Sequence, residues 1–271
     1  MSGGTPPVLL TGAAGRLGRV LAPRLAAAEV ALRLTDRRPF PDALPPGASF
    51  TPAELEDAAA VAALAEGCRA ILHFGAVATE APGFEAILAA NLRGALHVFE
   101  AARAAGARVV HASSAHVAGF HDRPAPGGPK LPAGCDYRPD SVYGLSKLYG
   151  EQLGRLYWDK HGVESVHLRI GWCAPEPRDA LSLSIWLSPD DLARLCLAAL
   201  SAQRTGWAVV WGASANPASF WDRDDRALIG WHPRDSAEPW RDRVGGVESG
   251  DPLAERFQGG RSVMAPGGTD S

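Results

Sequence analysis

A short apolar run, Val8-Leu9-Leu10, leads directly into Thr11-Gly12-Ala13-Ala14-Gly15-Arg16-Leu17-Gly18, and an amphipathic pattern then continues to Leu25. Few folds accommodate that order of buried strand, glycine turn and immediate helix. Glycine at 12, 15 and 18 permits dihedrals that are costly for other residues and lets a phosphate group approach the backbone. The helix N-terminus beyond the turn offers amide donors to that phosphate. Pro23 falls inside the helix and is expected to kink it.

The rhythm repeats along the chain. A strand at 31–35 ends on Asp36, a helix includes 61–64, and 70–74 reads as a buried strand. A long helix at 87–105 stops at Gly106, a strand at 108–111 runs out at Ser113-Ser114, and another strand occupies 165–170. Apolar strands alternating with helices predict an α/β fold, a Rossmann-like doubly wound parallel sheet. Residues 120–140 interrupt it with five prolines and three glycines, the mark of a long surface loop. Ser188-Pro189-Asp190-Asp191 is a helix start, with a serine cap, an early proline and acids at the positive end. We expect a dinucleotide-binding domain at 1–171 and a smaller substrate-binding region at 172–263, interleaved with the main fold. A flexible tail is expected at 264–271.

Asp36 selects the dinucleotide. It ends the second strand, 18 residues beyond Gly18 (36 minus 18). A carboxylate there accepts hydrogen bonds from the adenosine ribose hydroxyls and repels a 2′-phosphate, so NAD is expected rather than NADP. Arg37 and Arg38 beside it are the opposing signal, since guanidinium groups accommodate phosphate.

Composition narrows the partners. The formal net charge is -3, with no basic stripe, which excludes nucleic acid as an expected partner. No run approaches the roughly 20 apolar residues of a membrane span. The first five residues lack the pattern of a secretion signal. The four cysteines show no CxxC spacing, so neither a metal site nor a disulfide framework is expected, and a reducing cytoplasm is the plain reading. A small molecule is the partner to look for.

Tyr143-Gly144-Leu145-Ser146-Lys147 supplies the chemistry. Residues four apart share a helix face. A lysine charge so placed is expected to stabilise the phenolate and bring the tyrosine, with an ordinary pKa of about 10, into use as a general base. The bland alternative is an amphipathic pair on a helix.

Taken together, the Thr11–Gly18 glycine spacing, Asn91, Ser113-Ser114 and Tyr143/Lys147 resemble the extended short-chain dehydrogenase/reductase superfamily. Longer stretches, 141–147, 156–165, 175–177, 186–191 and 212–216, are similar to bacterial uronate dehydrogenases, which oxidise the anomeric carbon of a hexuronic acid to a lactone and reduce NAD. The resemblance implies that Tyr143 is the general base, that Lys147 lowers its pKa and holds the nicotinamide ribose, that Ser114 bonds the reacting oxygen, and that Asn91 supports a water relay behind Lys147. It also implies that Arg16, Leu17, Asp36, Arg37, Glu54, Leu55, Phe74, Gly75 and Ala76 line the NAD groove. Pairing of subunits through the helices at 87–105 and 141–161 is a further implication, giving a homo-oligomer.

The substrate side departs from that family. Relatives carry serine at the position of Ala78, asparagine at Ala115, serine at Trp172 and a carboxylate-gripping arginine at Leu181; His116 is kept. A charge-assisted bond contributes roughly 1.5–3 kcal/mol, and leucine cannot make one. These changes imply an apolar-walled pocket for a lactol, secondary alcohol or ketone less polar than a hexuronate. The competing reading keeps uronate as the substrate, with Arg178 supplying the charge. Nucleotide-sugar epimerase or dehydratase chemistry fits less well, because 172–263 is small and Ala115-His116 offers no acid. A catalytically silent NAD sensor would have no need of the Ser114/Tyr143/Lys147 set.

Overall fold

The computed structural model describes residues 5–79, 82–125 and 127–264. Its strands are β1 (Val8–Thr11), β2 (Leu32–Thr35), β3 (Ser49–Phe50), β4 (Ala70–His73), β5 (Arg108–Ser114), β6 (Leu131–Pro132), β7 (Ser165–Ile170), β8 (Trp172–Cys173), β9 (Trp186–Leu187), β10 (Trp207–Gly212) and β11 (Trp221–Asp222). The helices that shape the core and site are α1 (Arg16–Ala27), α2 (Ala58–Ala65), α3 (Phe84–Ile87), α4 (Gly94–Ala105), α5 (Val142–His161), α6 (Ser182–Ile185) and α7 (Pro189–Ser201).

Seven strands form one sheet in the order β10-β7-β5-β4-β1-β2-β3, and every pairing in it is parallel. The alternation along each strand divides the core. Leu10, Leu34 and Leu72 pack with Leu21 and Leu25 of α1 and Leu192 and Leu195 of α7. Leu9, Ile71 and Val109 face the opposite way, onto Val61 of α2, Phe99 of α4 and Leu153 of α5. The strand order reverses between β1 and β4, where parallel sheets open a crevice at their carboxyl ends. Every expected site residue up to Tyr143 and Lys147 lies on or just after a strand, or on a helix covering that crevice.

Several details differ from the sequence expectation. Helix α1 runs two residues beyond the expected Leu25, to Ala27, with Pro23 inside it; Pro23 faces solvent, where the carbonyl it leaves unbonded can be hydrated. β3 was not anticipated, because two residues carry no usable periodicity. The helix expected at 87–105 begins three residues earlier and contains a π-turn, Leu88–Arg93, before α4. Gly106 ends it in the left-handed conformation at φ 64°. The 120–140 loop is tied down, since β6 pairs with β11 and Asp122 bridges to Phe257. From the C-terminal region, α7 and β10 join the main fold, β10 as an edge strand beside β7. Of the expected tail, Met264 closes a 3-10 turn, and 265–271 lie outside the described residues. No helix of the described residues is long and apolar enough to cross a membrane. Helix α4 exposes Leu96, and α5 exposes Leu145 and Leu156.

One buried ion pair fastens the loop to the sheet. Arg169 and Glu151 are both fully buried and joined by two hydrogen bonds of 2.9 and 2.8 Å. Arg169 also donates to the Ala133 carbonyl, and Ser113 donates to Glu151 at 2.6 Å. Removing one partner leaves an uncompensated buried charge, which costs about 3–5 kcal/mol. Glu151→Ala is therefore expected to lower the urea midpoint of unfolding steeply, and an unchanged midpoint would show that the pair is not needed.

Candidate active site

The glycine turn is built by close approach. A Cβ on Gly12 would lie 2.5 Å from the Gly75 nitrogen, and one on Gly18 would lie 2.3 Å from the Gly12 carbonyl oxygen. Gly12 also adopts φ 69°, which disfavours any side chain. Gly15, by contrast, has only the Gly12 carbonyl oxygen near its Cβ position, at 3.1 Å, so the turn is open on that side. It caps α1 without a side-chain bond, and the first turn of α1 holds no acid. The leading amides of α1 are thus left for an anion. Thr11 closes the back of the turn, its Oγ1 accepting from the Gly75 amide and bonding His73 at 2.9 Å.

Asp36 is held at the mouth of this groove. Its carboxylate accepts from the Ala14 amide at 3.1 Å and the Arg38 amide at 3.0 Å, which leaves lone pairs for a diol. Arg37 and Glu54 are exposed beside it. Leu55 lies over Gly75 and Gly94, whose Cβ positions would each fall 2.8 Å from it. Phe74 and Ala76 are partly exposed on either side of the buried Gly75. An open turn, uncapped amides and a pre-positioned carboxylate fit a dinucleotide.

Asn91 is held by three direct hydrogen bonds. Its carbonyl oxygen accepts from the Val77 amide at 2.8 Å, and its amide donates to the Val77 carbonyl and to Ser146 Oγ at 2.9 and 2.8 Å. Ser146 in turn donates to the Tyr143 carbonyl. The Asn91 side chain therefore pins the loop after β4 to α5. The π-turn around it widens the helix at this point, a distortion common at functional sites.

Ser114 ends β5 and Tyr143 opens α5, whose first turn is capped by Ser141 Oγ accepting from the Gly144 amide at 3.0 Å. Gly144 lets the helix press on the following turn, since a Cβ there would lie 2.5 Å from the His116 carbonyl oxygen. The Ser114 hydroxyl hydrogen-bonds the Tyr143 phenol. The His116 ring stands edge-on to Tyr143 at 5.9 Å, and its Nδ1 bonds the buried Asp140 carboxylate at 2.7 Å. Lys147 is buried, with Nζ 5.7 Å from the Tyr143 ring centre.

Burial dominates the electrostatics of the pair. Burial pushes the Tyr143 phenol up to about 12, opposed by the Ser114 hydrogen bond and the Arg16 charge and reinforced by Asp140. Burial also lowers Lys147 to about 8. With the phenol near 12, the base form increases about tenfold per pH unit through the neutral range. Alcohol oxidation is therefore expected to accelerate from pH 7 to 9, and a flat kcat profile over that range would argue against Tyr143 as base.

Beside His116 lies a cavity of about 580 Å³, within the range of small-molecule sites. Ala115, His116, Trp172 and Leu181 line it, together with Ile170 and Ile185. Ala78 is exposed and is not among the described lining residues. Other walls come from Arg123, Arg178, Arg261, Glu248, Glu255 and Gln258. The expected apolar wall is therefore only one side of a mixed cavity. The C-terminal lining was not foreseen, and no local motif marks it; Asp140 could have been flagged only by its place beside the Ser141 cap.

Comparison with known proteins agrees with this arrangement. Residues 8–173 match the model of the NAD dependent epimerase/dehydratase family. The chain is 44% identical over 264 residues to a uronate dehydrogenase of Agrobacterium fabrum, covering 96% of this chain and 97% of that one. It is 42% identical to a uronate dehydrogenase of Pseudomonas putida, covering 95% and 96%. The crystal structure of a point mutant of uronate dehydrogenase from Agrobacterium tumefaciens, complexed with NAD, superimposes with a TM-score of 0.89 at 42% identity, covering 96% of this chain and 98% of that one. The glycine turn, the Asp36 carboxylate and these matches show that the chain belongs to the NAD-dependent epimerase/dehydratase family.

Proposed function

We propose that this protein oxidises the hydroxyl-bearing ring carbon of a cyclic, carboxylate-bearing sugar of the hexuronate type to a lactone. NAD, when bound, accepts the hydride. The residues divide the remaining work: Ser114 orients the reacting hydroxyl, Tyr143 takes its proton, and Lys147, charged below about pH 8, balances the phenolate and holds the nicotinamide ribose. Asn91 keeps the β4 loop and α5 in register. The observation that carries this reading is the Ser114–Tyr143 hydrogen bond, with Lys147 over the same ring, next to a cavity that contains guanidinium groups. Likeness to uronate dehydrogenases over nearly the whole chain supports it.

The second reading, a less polar lactol, alcohol or ketone, is favoured by Ala115, Trp172, Leu181 and Ile185 on one wall. A panel of glucuronate, galacturonate, neutral aldoses and apolar cyclic alcohols, assayed with NAD by NADH formation, decides between them. Turnover of the two hexuronates with the highest kcat/KM is expected. Preference for the apolar alcohols would establish the second reading instead, and NAD binding with no turnover of any compound would favour a sensor.

A further inference from the structure

We propose that Arg178, laid against the Trp172 indole, is the carboxylate anchor of this pocket, and that Arg16 links that anchor to the cofactor groove. This rests on the dehydrogenase reading above and adds which residues of this chain set its specificity.

The Arg178 guanidinium carbon lies 3.9 Å from the Trp172 ring centre. Stacking of that kind fixes the plane of the guanidinium while its in-plane N–H edge stays available. Arg178 Nε donates to Asp179 at 3.2 Å, and no other side-chain partner appears for it among the described residues. Its backbone is rigidly placed, because Ser182 Oγ accepts from the amides of both Arg178 and Asp179 at 2.8 and 2.9 Å.

The other cations of the cavity are more committed. Arg123 bonds the Glu255 carboxylate and the carbonyls of Phe257 and Ala254. Arg261 is exposed and donates to the Ser249 carbonyl. Leu181 meanwhile packs against Gly260, whose Cβ position would lie 2.5 Å from its Cδ2. That position serves packing, and the fork able to take a planar, bidentate anion belongs to Arg178.

A second cation reaches the same indole. The Arg16 guanidinium carbon lies 5.2 Å from the Trp172 ring centre, and its Nη1 donates to the Cys173 carbonyl at 2.5 Å. No described carboxylate lies within ion-pair distance of it. Two guanidinium groups thus share one indole, Asp179 is the described carboxylate within ion-pair distance of either, and the Trp172 Nε1 donor is buried without a partner among the described residues. Guanidinium and indole donors left unpaired in this way favour an anion between them. Arg16 is also the first residue of α1, so the platform under the anchor is tied to the glycine turn. Occupation of the groove and occupation of the carboxylate subsite should therefore favour one another.

The experiment uses the full-length protein with glucuronate and glucose, which differ only in carboxylate against hydroxymethyl. Arg178→Gln is expected to lower the ratio of kcat/KM for glucuronate over glucose by about 10- to 100-fold, in line with loss of one charge-assisted pair, with Arg178→Lys intermediate. A second arm needs no turnover. The dissociation constant of glucarate, an open-chain carboxylate probe, is measured by equilibrium dialysis with and without NAD. Glucarate should bind more tightly with NAD, weaken on Arg178→Gln and Trp172→Leu, and lose its NAD dependence on Arg16→Gln. An unchanged specificity ratio and unchanged glucarate affinity in Arg178→Gln would overturn the anchor. Wild-type glucarate affinity that is indifferent to NAD would overturn the link through Arg16. Absence of sugar turnover, with glucarate still bound through Arg178, would sink the oxidation reading and leave the anchor standing.

Discussion

Tyr143→Phe should lose about 100- to 10,000-fold in kcat while keeping NAD affinity within a few-fold, the span expected when a positioned acid–base group is removed. The change deletes one oxygen and keeps the ring against which His116 packs at 5.9 Å and over which Lys147 sits at 5.7 Å. The helix start does not depend on that hydroxyl, because Ser141 caps it. The fold and the groove formed by Gly12, Gly15 and Asp36 should therefore survive. Steady-state kinetics with the best sugar of the panel, together with NAD titration followed by protein fluorescence, gives both quantities. A variant with near wild-type kcat would remove Tyr143 from the mechanism. A variant that loses NAD binding in parallel would make its role structural.

What could be read from the chain alone was what lies close together in it. The glycine turn, the strand ending on Asp36 and the four-residue step from Tyr143 to Lys147 are each written within one element and its cap, where period and propensity act. The parallel sheet followed from apolar strands alternating with helices. Contacts between distant segments left no such trace. Arg16 meets Trp172 from 156 positions away (172 minus 16), a contact that only the folded sheet brings about. The same holds for the cavity wall from 247 to 262, which has no motif and is placed by the pairing of Asp122 with Phe257. The spacing put Lys147 on the face of Tyr143, but it could not show that burial would raise the phenol and lower the ammonium.

Acid should unfold this protein through three histidines that the sequence hides in ordinary apolar strands. His73, His111 and His167 are direct register partners across β4, β5 and β7, and all three are buried. His111 and His167 approach at 3.2 Å, and Gly150 and Gly154 of α5 make room for them: a Cβ at either glycine would fall 2.3–2.4 Å from an imidazole. Burial holds His73 and His167 down at about 3 and His111 well below its ordinary value, with the Lys147 charge adding to the effect on His73 and His111. In the unfolded chain each would titrate near 6.5. Below that pH the unfolded state binds more protons than the folded state, so stability is full above 6.5 and falls as the pH drops. At pH 5 the loss is about 2 kcal/mol for each of His73 and His167, and His111 acts in the same direction, which is a large fraction of the stability of many domains. Carboxylates held low by partners, such as Glu164 beside Arg108, contribute only as the pH falls below their ordinary 4.5, so the window from 5 to 6.5 isolates the histidines. Urea unfolding at pH 7, 6 and 5 should show a slope of at least about 2–3 kcal/mol per pH unit near pH 5. His73→Asn, whose amide can still bond Thr11, should reduce that slope by about 1.4 kcal/mol per pH unit even if it lowers stability at pH 7. A stability independent of pH between 5 and 7 would mean that the ladder accepts protons in the folded state. In that case α5, which carries Tyr143 and Lys147, would not rest on a neutral imidazole floor.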